Sequence, residues 1–203
     1  MTPPRPRALL FLDVDGPLIP FGASSADLPE GYPTYEGGTR EGGGHPLLDR
    51  ADPALGRRLA DLGCELVWAT TWGEDANHVL APWLGLPESP VLPWPDEADG
   101  ADGADRADGV DEAGGAYGVY EEVPGAARAV HWKTRPIVEW ADGRPFVWVD
   151  DEIAPADRAW VDTYHRGPAL LHRVDARYGL TEGDFGVIRG WLGRLRPGFR
   201  GRD

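Results

Sequence analysis

The sequence predicts an α/β domain with a mostly parallel sheet, and three observations carry that prediction. Short apolar runs end in polar residues at Leu9–Gly16, Cys64–Thr71 and Pro145–Glu152. Segments with apolar residues at helical spacing separate them. Strands that alternate with helices form a parallel sheet with helices on its faces. At 203 residues the chain has the length of a single domain, 1–203, with room for a substantial core.

The first strand is Leu9-Leu10-Phe11-Leu12, which runs into Asp13-Val14-Asp15 and stops at Gly16. A Gly/Pro-rich stretch with no helical period follows. Residues 17–48 read as a flap or small cap loop reaching over the acids. Asp52-Pro53 marks a helix start, with aspartate as N-cap and proline at the first helical position. Leu55, Leu59 and Leu62 line one face of that helix, and Gly63 stops it. Cys64–Thr71 is the second strand. A helix is expected from Trp72 to about Leu84, with Ala76, Val79 and Leu80 turned inward. Pro87–Pro95 is a proline-punctuated connection.

Residues 96–116 repeat Ala-Asp-Gly at Ala98, Ala101 and Ala107. Such a segment buries too little apolar surface to offset its chain entropy, so it is expected to be disordered or a mobile loop. Its three-residue period lacks the alternating oxygen ligands and terminal glutamate of an EF-hand loop, which argues against calcium. Order resumes near Tyr120. His131–Thr134 precede a helix through Ile137, Val138, Trp140 and Ala141, closed by Gly143. Pro145–Glu152 is the third strand and Ala169–Val174 the fourth. Thr181 and Asp184 form a capping pair for a terminal helix carrying Phe185, Ile188, Trp191, Leu192 and Leu195.

The net charge of −14 argues against broad electrostatic binding to nucleic acid or to an anionic membrane. Ten acids against one base between Asp96 and Glu122 account for −9 of it, so the remaining chain is only mildly acidic. A single cysteine, Cys64, excludes an intrachain disulfide, reads as a small core residue, and is compatible with a reducing cytoplasm. The apolar run before Asp13 is too short for a signal peptide, and no stretch approaches the roughly 20 apolar residues of a membrane span. The expected location is therefore cytoplasmic, with no membrane partner. The five histidines show no zinc-ligand spacing.

Parallel strands bring their C-terminal ends to one edge, where open α/β sheets bind ligands. Here those ends carry Asp13/Asp15, Thr70/Thr71 and Asp150/Asp151. Taken alone, an aspartate pair also fits a helix cap or a turn. Four carboxylates in one cleft need a counter-charge. A divalent cation supplies it, and Mg²⁺ suits carboxylates, a backbone carbonyl and water, with positions left for a phosphate oxygen. The chain holds nineteen arginines but one lysine, Lys133. Lysine delivers a compact charge where the planar fork of arginine does not fit, although one residual lysine can equally be incidental. Trp72 and Trp132 adjoin these residues and serve either to stack on a base or sugar or simply to pack; Trp68 and Trp148 are expected in the core. Asn77, the only asparagine, either borders the cleft or lies on a helix surface. His131 is a candidate support for Lys133. Arg189, Arg194, Arg196, Arg200 and Arg202 make a basic C-terminal end, either solvated or holding a polyanion.

Leu-Asp-Val-Asp-Gly at 12–16, strand-terminal Thr70, Lys133 and Val-Asp-Asp at 149–151 resemble, in order, the four motifs of the haloacid dehalogenase (HAD) superfamily of phosphohydrolases. The resemblance spans about residues 7–175. Trp-Ala-Thr-Thr-Trp at 68–72, followed by Ala76-Asn77, is similar to a narrower group, the HAD domains of Swiss Army Knife RNA-repair proteins. The resemblance implies a three-layer, Rossmann-like HAD fold with a minimal cap. It implies a Mg²⁺-dependent phosphomonoesterase working through an aspartyl-phosphate, on a phosphorylated small molecule or a nucleic-acid end. Asp13 would be the nucleophile and Asp15 the general acid and base. The Asp13 carboxylate, the Asp15 carbonyl and Asp150 would hold the metal, with Asp151 holding a metal-bound water or orienting Lys133. Thr70, or Thr71 beside it, and Lys133 would bind phosphate oxygens, with Gly16 and Trp72 at the substrate. Pro17 stands where the family usually has threonine, and lacks both a hydroxyl and a backbone donor. The alternative is a non-catalytic HAD-like domain that binds a phosphorylated ligand or a protein partner. A nucleic-acid-binding module built on the arginine-rich end is a third reading.

Overall fold

A computed structural model describes residues 7–35, 47–93, 120–121 and 130–195. The acidic 96–116 segment, the middle of the 17–48 flap and the basic residues beyond 195 lie outside the described residues. Among the described residues there are six strands: β1 (Leu9–Leu12), β2 (Glu65–Trp68), β3 (Tyr120–Glu121), β4 (Val130–His131), β5 (Phe146–Asp150) and β6 (Ala169–Arg173). Four of them form one parallel sheet in the order β2-β1-β5-β6, while β3 and β4 form a separate antiparallel pair. The protein is thus a mixed α/β fold on a mostly parallel sheet flanked by helices.

Side chains alternate across the sheet, and the two faces build two apolar clusters. Leu10, Leu12, Trp68, Val147 and Val149 face one way. They meet Leu55 and Leu59 of α1 (Ala54–Ala60), Leu84 of α2 (Ala81–Leu84), and Phe185 and Ile188 of the terminal helix. Leu9, Phe11, Val67, Phe146 and Trp148 face the other way, against Ile137 and Ala141 of α3 (Thr134–Ala141) and Val161 of α4 (Pro155–Tyr164). The terminal helix, α5, spans Glu182–Leu195. A sheet buried on both faces explains why its strands are continuous apolar runs.

Local chemistry sets the boundaries. Asp52 Oδ1 accepts the Ala54 N–H at 2.8 Å, but the helix begins at Ala54 with Pro53 at its N-cap, one residue later than an Asp52 cap with proline at the first helical position would put it. Gly56 on α1 faces the Leu84 carbonyl so closely that a Cβ would sit 1.8 Å from it; only glycine permits this contact between α1 and α2. The helix expected over 72–84 is not continuous. The chain turns through 71–74, winds as a π-helical segment over Ala76–Leu80 and becomes α2 only at Ala81. Pro82 has no N–H to continue an α-helical ladder from the preceding turn. The second strand is also shorter than expected, ending at Trp68 before the threonines. The sequence reading missed α4 entirely. It starts with Pro155 in its first turn, and Asp157 accepts the Ala154 N–H at 2.8 Å. The Thr181/Asp184 cap of α5 forms as expected, with Thr181 N–H to Asp184 Oδ2 at 2.8 Å. Among the described residues no helix is long and apolar enough to cross a membrane.

Candidate functional site

Register places the polar residues side by side. Leu12 pairs with Trp68 on one side and Val149 on the other. One residue further on, Asp13 lies level with Ala69 and Asp150, and its N–H donates to the Val149 carbonyl at 3.1 Å. Asp150 is in turn level with Arg173 at the end of β6. The carboxylate edge is therefore a direct product of parallel pairing around β1.

Three carboxylates converge there. One oxygen from each of Asp13, Asp150 and Asp151 lies within 4.8 Å of the others, an arrangement able to hold a metal ion. Lys133 Nζ reaches in from the start of α3 and stands 2.8 Å from both Asp13 Oδ2 and Asp150 Oδ2. Lys133, Asp13 and Asp150 are all buried. Val14 N–H donates to Asp13 Oδ1 at 2.8 Å, and Glu152 N–H to Asp150 Oδ1 at 2.9 Å. The Trp148 indole N–H adds a third donor to Asp150, at 3.2 Å.

The protonation pattern follows from crowding. Burial, with repulsion from Asp150, pushes Asp13 up to about 7 despite the opposing pull of Lys133. Burial and the neighbouring Asp150 and Glu152 charges push Asp151 up to about 6. Burial also works to raise Asp150, but Lys133 and the Glu152 N–H overcome it and hold Asp150 below the usual carboxylate range. Burial works against the Lys133 charge, yet the two carboxylates win and hold it above the ordinary lysine range. One ammonium between three acids leaves an excess of negative charge. The donor set is all hard oxygen, which fits Mg²⁺ rather than a softer metal.

The remaining expected residues take distinct places. Asp15 sits past the end of β1, and its Oδ2 accepts the Trp72 indole N–H at 3.0 Å. Its carboxylate is not one of the three that converge. Gly16 adopts φ +82° and donates its N–H to the Ile19 carbonyl at 3.0 Å. A Cβ at that position would lie 2.5 Å from Asp151 Oδ1, so glycine is required where the β1 loop meets Asp151. Thr70 is fully buried and its Oγ1 accepts the Trp72 N–H at 3.3 Å, whereas Thr71 is exposed. Trp132 is buried in the core, with Lys133 Nζ 5.6 Å from its ring centre.

His131 was the expected support for Lys133 and takes that place, whereas Asp157 was overlooked. His131 Nδ1 accepts the Lys133 N–H at 3.2 Å, so the other ring nitrogen carries the proton and meets Glu152 Oε2 at 3.1 Å. Asp157, fully buried, accepts from His131 N–H at 2.7 Å, Thr134 Oγ1 at 2.7 Å and Ala154 N–H at 2.8 Å. These bonds tie the segment bearing Lys133 to the loop after Asp150–Asp151. Pro155 followed by Asp157 is a helix-start signal that could have found Asp157. Asn77 is neither at the cleft nor on a surface. It is buried between Trp68 Nε1 (3.0 Å), Glu74 Oε2 (3.0 Å) and the Ser89 backbone (2.9 and 3.0 Å).

No family model, curated protein or solved structure matches the chain.

Proposed function

We propose that this protein is a Mg²⁺-dependent phosphomonoesterase of the HAD type, working through a phospho-aspartate on Asp13. The observation that supports this most is the grouping of Asp13, Asp150 and Asp151 around the buried ammonium of Lys133. A carboxylate beside a lysine is ordinary in a protein core. Two buried carboxylates sharing one buried lysine, with a third acid, Asp151, beside them at the C-terminal edge of a parallel sheet, are an electrostatic arrangement that calls for a cation and an anionic ligand.

Asp13 and Asp150 would hold Mg²⁺ through their carboxylates, Asp15 through its carbonyl, and Asp151 directly or through water. Bound there, Mg²⁺ supplies charge neutralisation for an incoming phosphate. The chain's own residues do the rest. The Asp13 carboxylate, oriented by Val14 N–H and Lys133, attacks phosphorus while the bond to the leaving oxygen breaks. Asp15, held by the Trp72 indole, gives that oxygen a proton. Asp15 then takes a proton from the water that attacks the phospho-aspartate, releasing inorganic phosphate and restoring Asp13. Lys133 and the Thr70 hydroxyl offset charge on the phosphoryl oxygens. The substrate class is a phosphate monoester, on a small molecule or a nucleic-acid end.

The test is phosphate release from an aryl phosphate, nucleotides, and 3′- and 5′-phosphorylated oligonucleotides, each with Mg²⁺, with chelator, and with Asp13→Asn. Release that vanishes with chelator and with Asp13→Asn is expected. No release from any member, by a folded protein that binds Mg²⁺, would replace this reading with a domain that binds a phosphorylated ligand without hydrolysing it.

A further inference from the structure

A cavity of about 200 Å³ opens between the flap residues 17–35, the start of α1 and the loop from β6 to α5. All three segments lie on the same side of the sheet as the carboxylates, because the flap and the β6–α5 loop each leave the C-terminal end of a strand. Pro17, two residues after Asp15, is part of the cavity wall. The wall is held in place by backbone pairing: Leu180 N–H donates to the Pro17 carbonyl and Phe21 N–H to the Ala176 carbonyl, each at 2.9 Å. Gly179 packs against the Gly16 and Pro17 carbonyls, so the cavity and the carboxylate loop share one strip of backbone.

Prolines and leucines make up much of the wall, and flat groups stand among them. Tyr32, Tyr35 and Tyr178 contribute rings, and Arg50 and Arg177 contribute guanidinium planes. Arg50 lies over Tyr32 at 4.6 Å and Arg177 over Tyr178 at 5.3 Å. Arg177 is pinned by Asp27 at 2.8 Å and Asp175 at 2.7 Å. These ion pairs cancel its charge, and Asp52 adds an acid to the same lining. The cavity therefore presents preorganised planes rather than net positive charge, which selects a ring over a second phosphate. Its volume is below the ~300 Å³ at which pockets for drug-sized ligands begin, so it takes one ring system and not a whole nucleotide.

We propose that this cavity binds the planar heteroaromatic ring of the substrate's leaving group, a nucleobase in chemical class, while the phosphate lies at Asp13. This rests on the phosphomonoesterase reading of the carboxylate edge. Rings and guanidinium planes hold a base by stacking without reading its identity, at about 1–3 kcal/mol per base. Asp52 uses Oδ1 for the Ala54 N–H, and its other oxygen has no partner among the described residues, so it can accept from a base amino group.

The experiment compares kcat/KM for a nucleoside monophosphate with that for glycerol phosphate, in wild type, Tyr178→Ala and Tyr32→Leu. Binding of the unphosphorylated nucleoside is measured separately by calorimetry on the Mg²⁺-loaded protein. Tyr178 is 45% exposed, so its removal does not threaten the fold. The ratio of the two kcat/KM values should favour the nucleotide in wild type and fall about 5- to 150-fold in each variant. The nucleoside should bind, compete with the nucleotide, and lose affinity in both variants. A ratio unchanged by either substitution overturns the proposal, as does a nucleoside that binds without competing. Nucleoside binding that depends on Tyr178, in a protein that releases no phosphate from any ester, would retain the ring site and remove the phosphatase reading. Phosphate release indifferent to the leaving group would do the reverse.

Discussion

Lys133→Met removes the one buried cation between Asp13 and Asp150. Each contact, at 2.8 Å, carries a gross attraction of about 6 kcal/mol at an effective dielectric near 20, most of which offsets the desolvation of the ions. Methionine fills the volume but leaves Asp150 buried and negative, and breaking a buried pair in this way costs about 3–5 kcal/mol. For a chain of this size that lowers Tm by about 6–20 °C. The carboxylates can escape part of the penalty by taking protons, so the loss should be larger at pH 8 than at pH 5.5. If Mg²⁺ binds at the same oxygens as proposed, saturating Mg²⁺ would replace the missing charge and should return several degrees more to the variant than it adds to wild type. Thermal unfolding of both proteins in chelator and in Mg²⁺, at the two pH values, measures all of this. A metal-free variant within about 2 °C of wild type at pH 8 would refute the reasoning, because the lysine would then not be balancing the acids.

Three further expectations follow from named contacts. Asn77→Leu leaves the buried Trp68 indole N–H and the half-buried Ser89 N–H without their acceptor, so urea unfolding should show a loss of about 1–3 kcal/mol; no measurable loss would contradict this. Asp13 and Asp151 titrate above their unfolded values in the metal-free protein, so between about pH 4 and 7 the fold binds protons more tightly than the unfolded chain, and their contribution to stability shrinks as pH rises. The same protons compete with metal, so Mg²⁺ affinity measured by calorimetry should fall, with proton release, as pH drops from 8 through 7 to 6; a flat affinity would rule this out. Burial pushes the Cys64 thiol up to about 11, so iodoacetamide should label it far more slowly at pH 8 in the folded protein than in urea, and equal rates would contradict the structure.

The parts of the fold written in short-range patterns were legible from sequence. β1, β5 and α1 were read from an apolar run meeting acids or from leucines at helical spacing behind an aspartate cap. Parallel pairing then brings Asp13 and Asp150 level, which is why their convergence could be anticipated without coordinates, whereas Lys133 was singled out as the one lysine and assigned to the site by the resemblance. Asp15 broke the simple pattern. The strand ends at Leu12, so position 15 lies in the loop beyond it, and its carboxylate goes to Trp72. The π-helical turn was invisible because the apolar spacing of 72–84 is shared by α and π windings, and Pro82 alone betrayed it. Asn77 and Asp157 were hidden for a different reason. Their partners are 12 and 26 residues away, and only the folded chain brings a polar side chain to buried backbone groups at such separations.

Trapping the intermediate tests the proposed chemistry most directly. The protein would be mixed with its best phosphomonoester and Mg²⁺, quenched during turnover, and treated with borohydride, which reduces an acyl phosphate to an alcohol. Peptide mass mapping should then find homoserine in place of Asp13, with chelator preventing the change. Continued phosphate release with Asp13 unmodified, or reduction at a different carboxylate, would contradict the assignment of Asp13 as nucleophile.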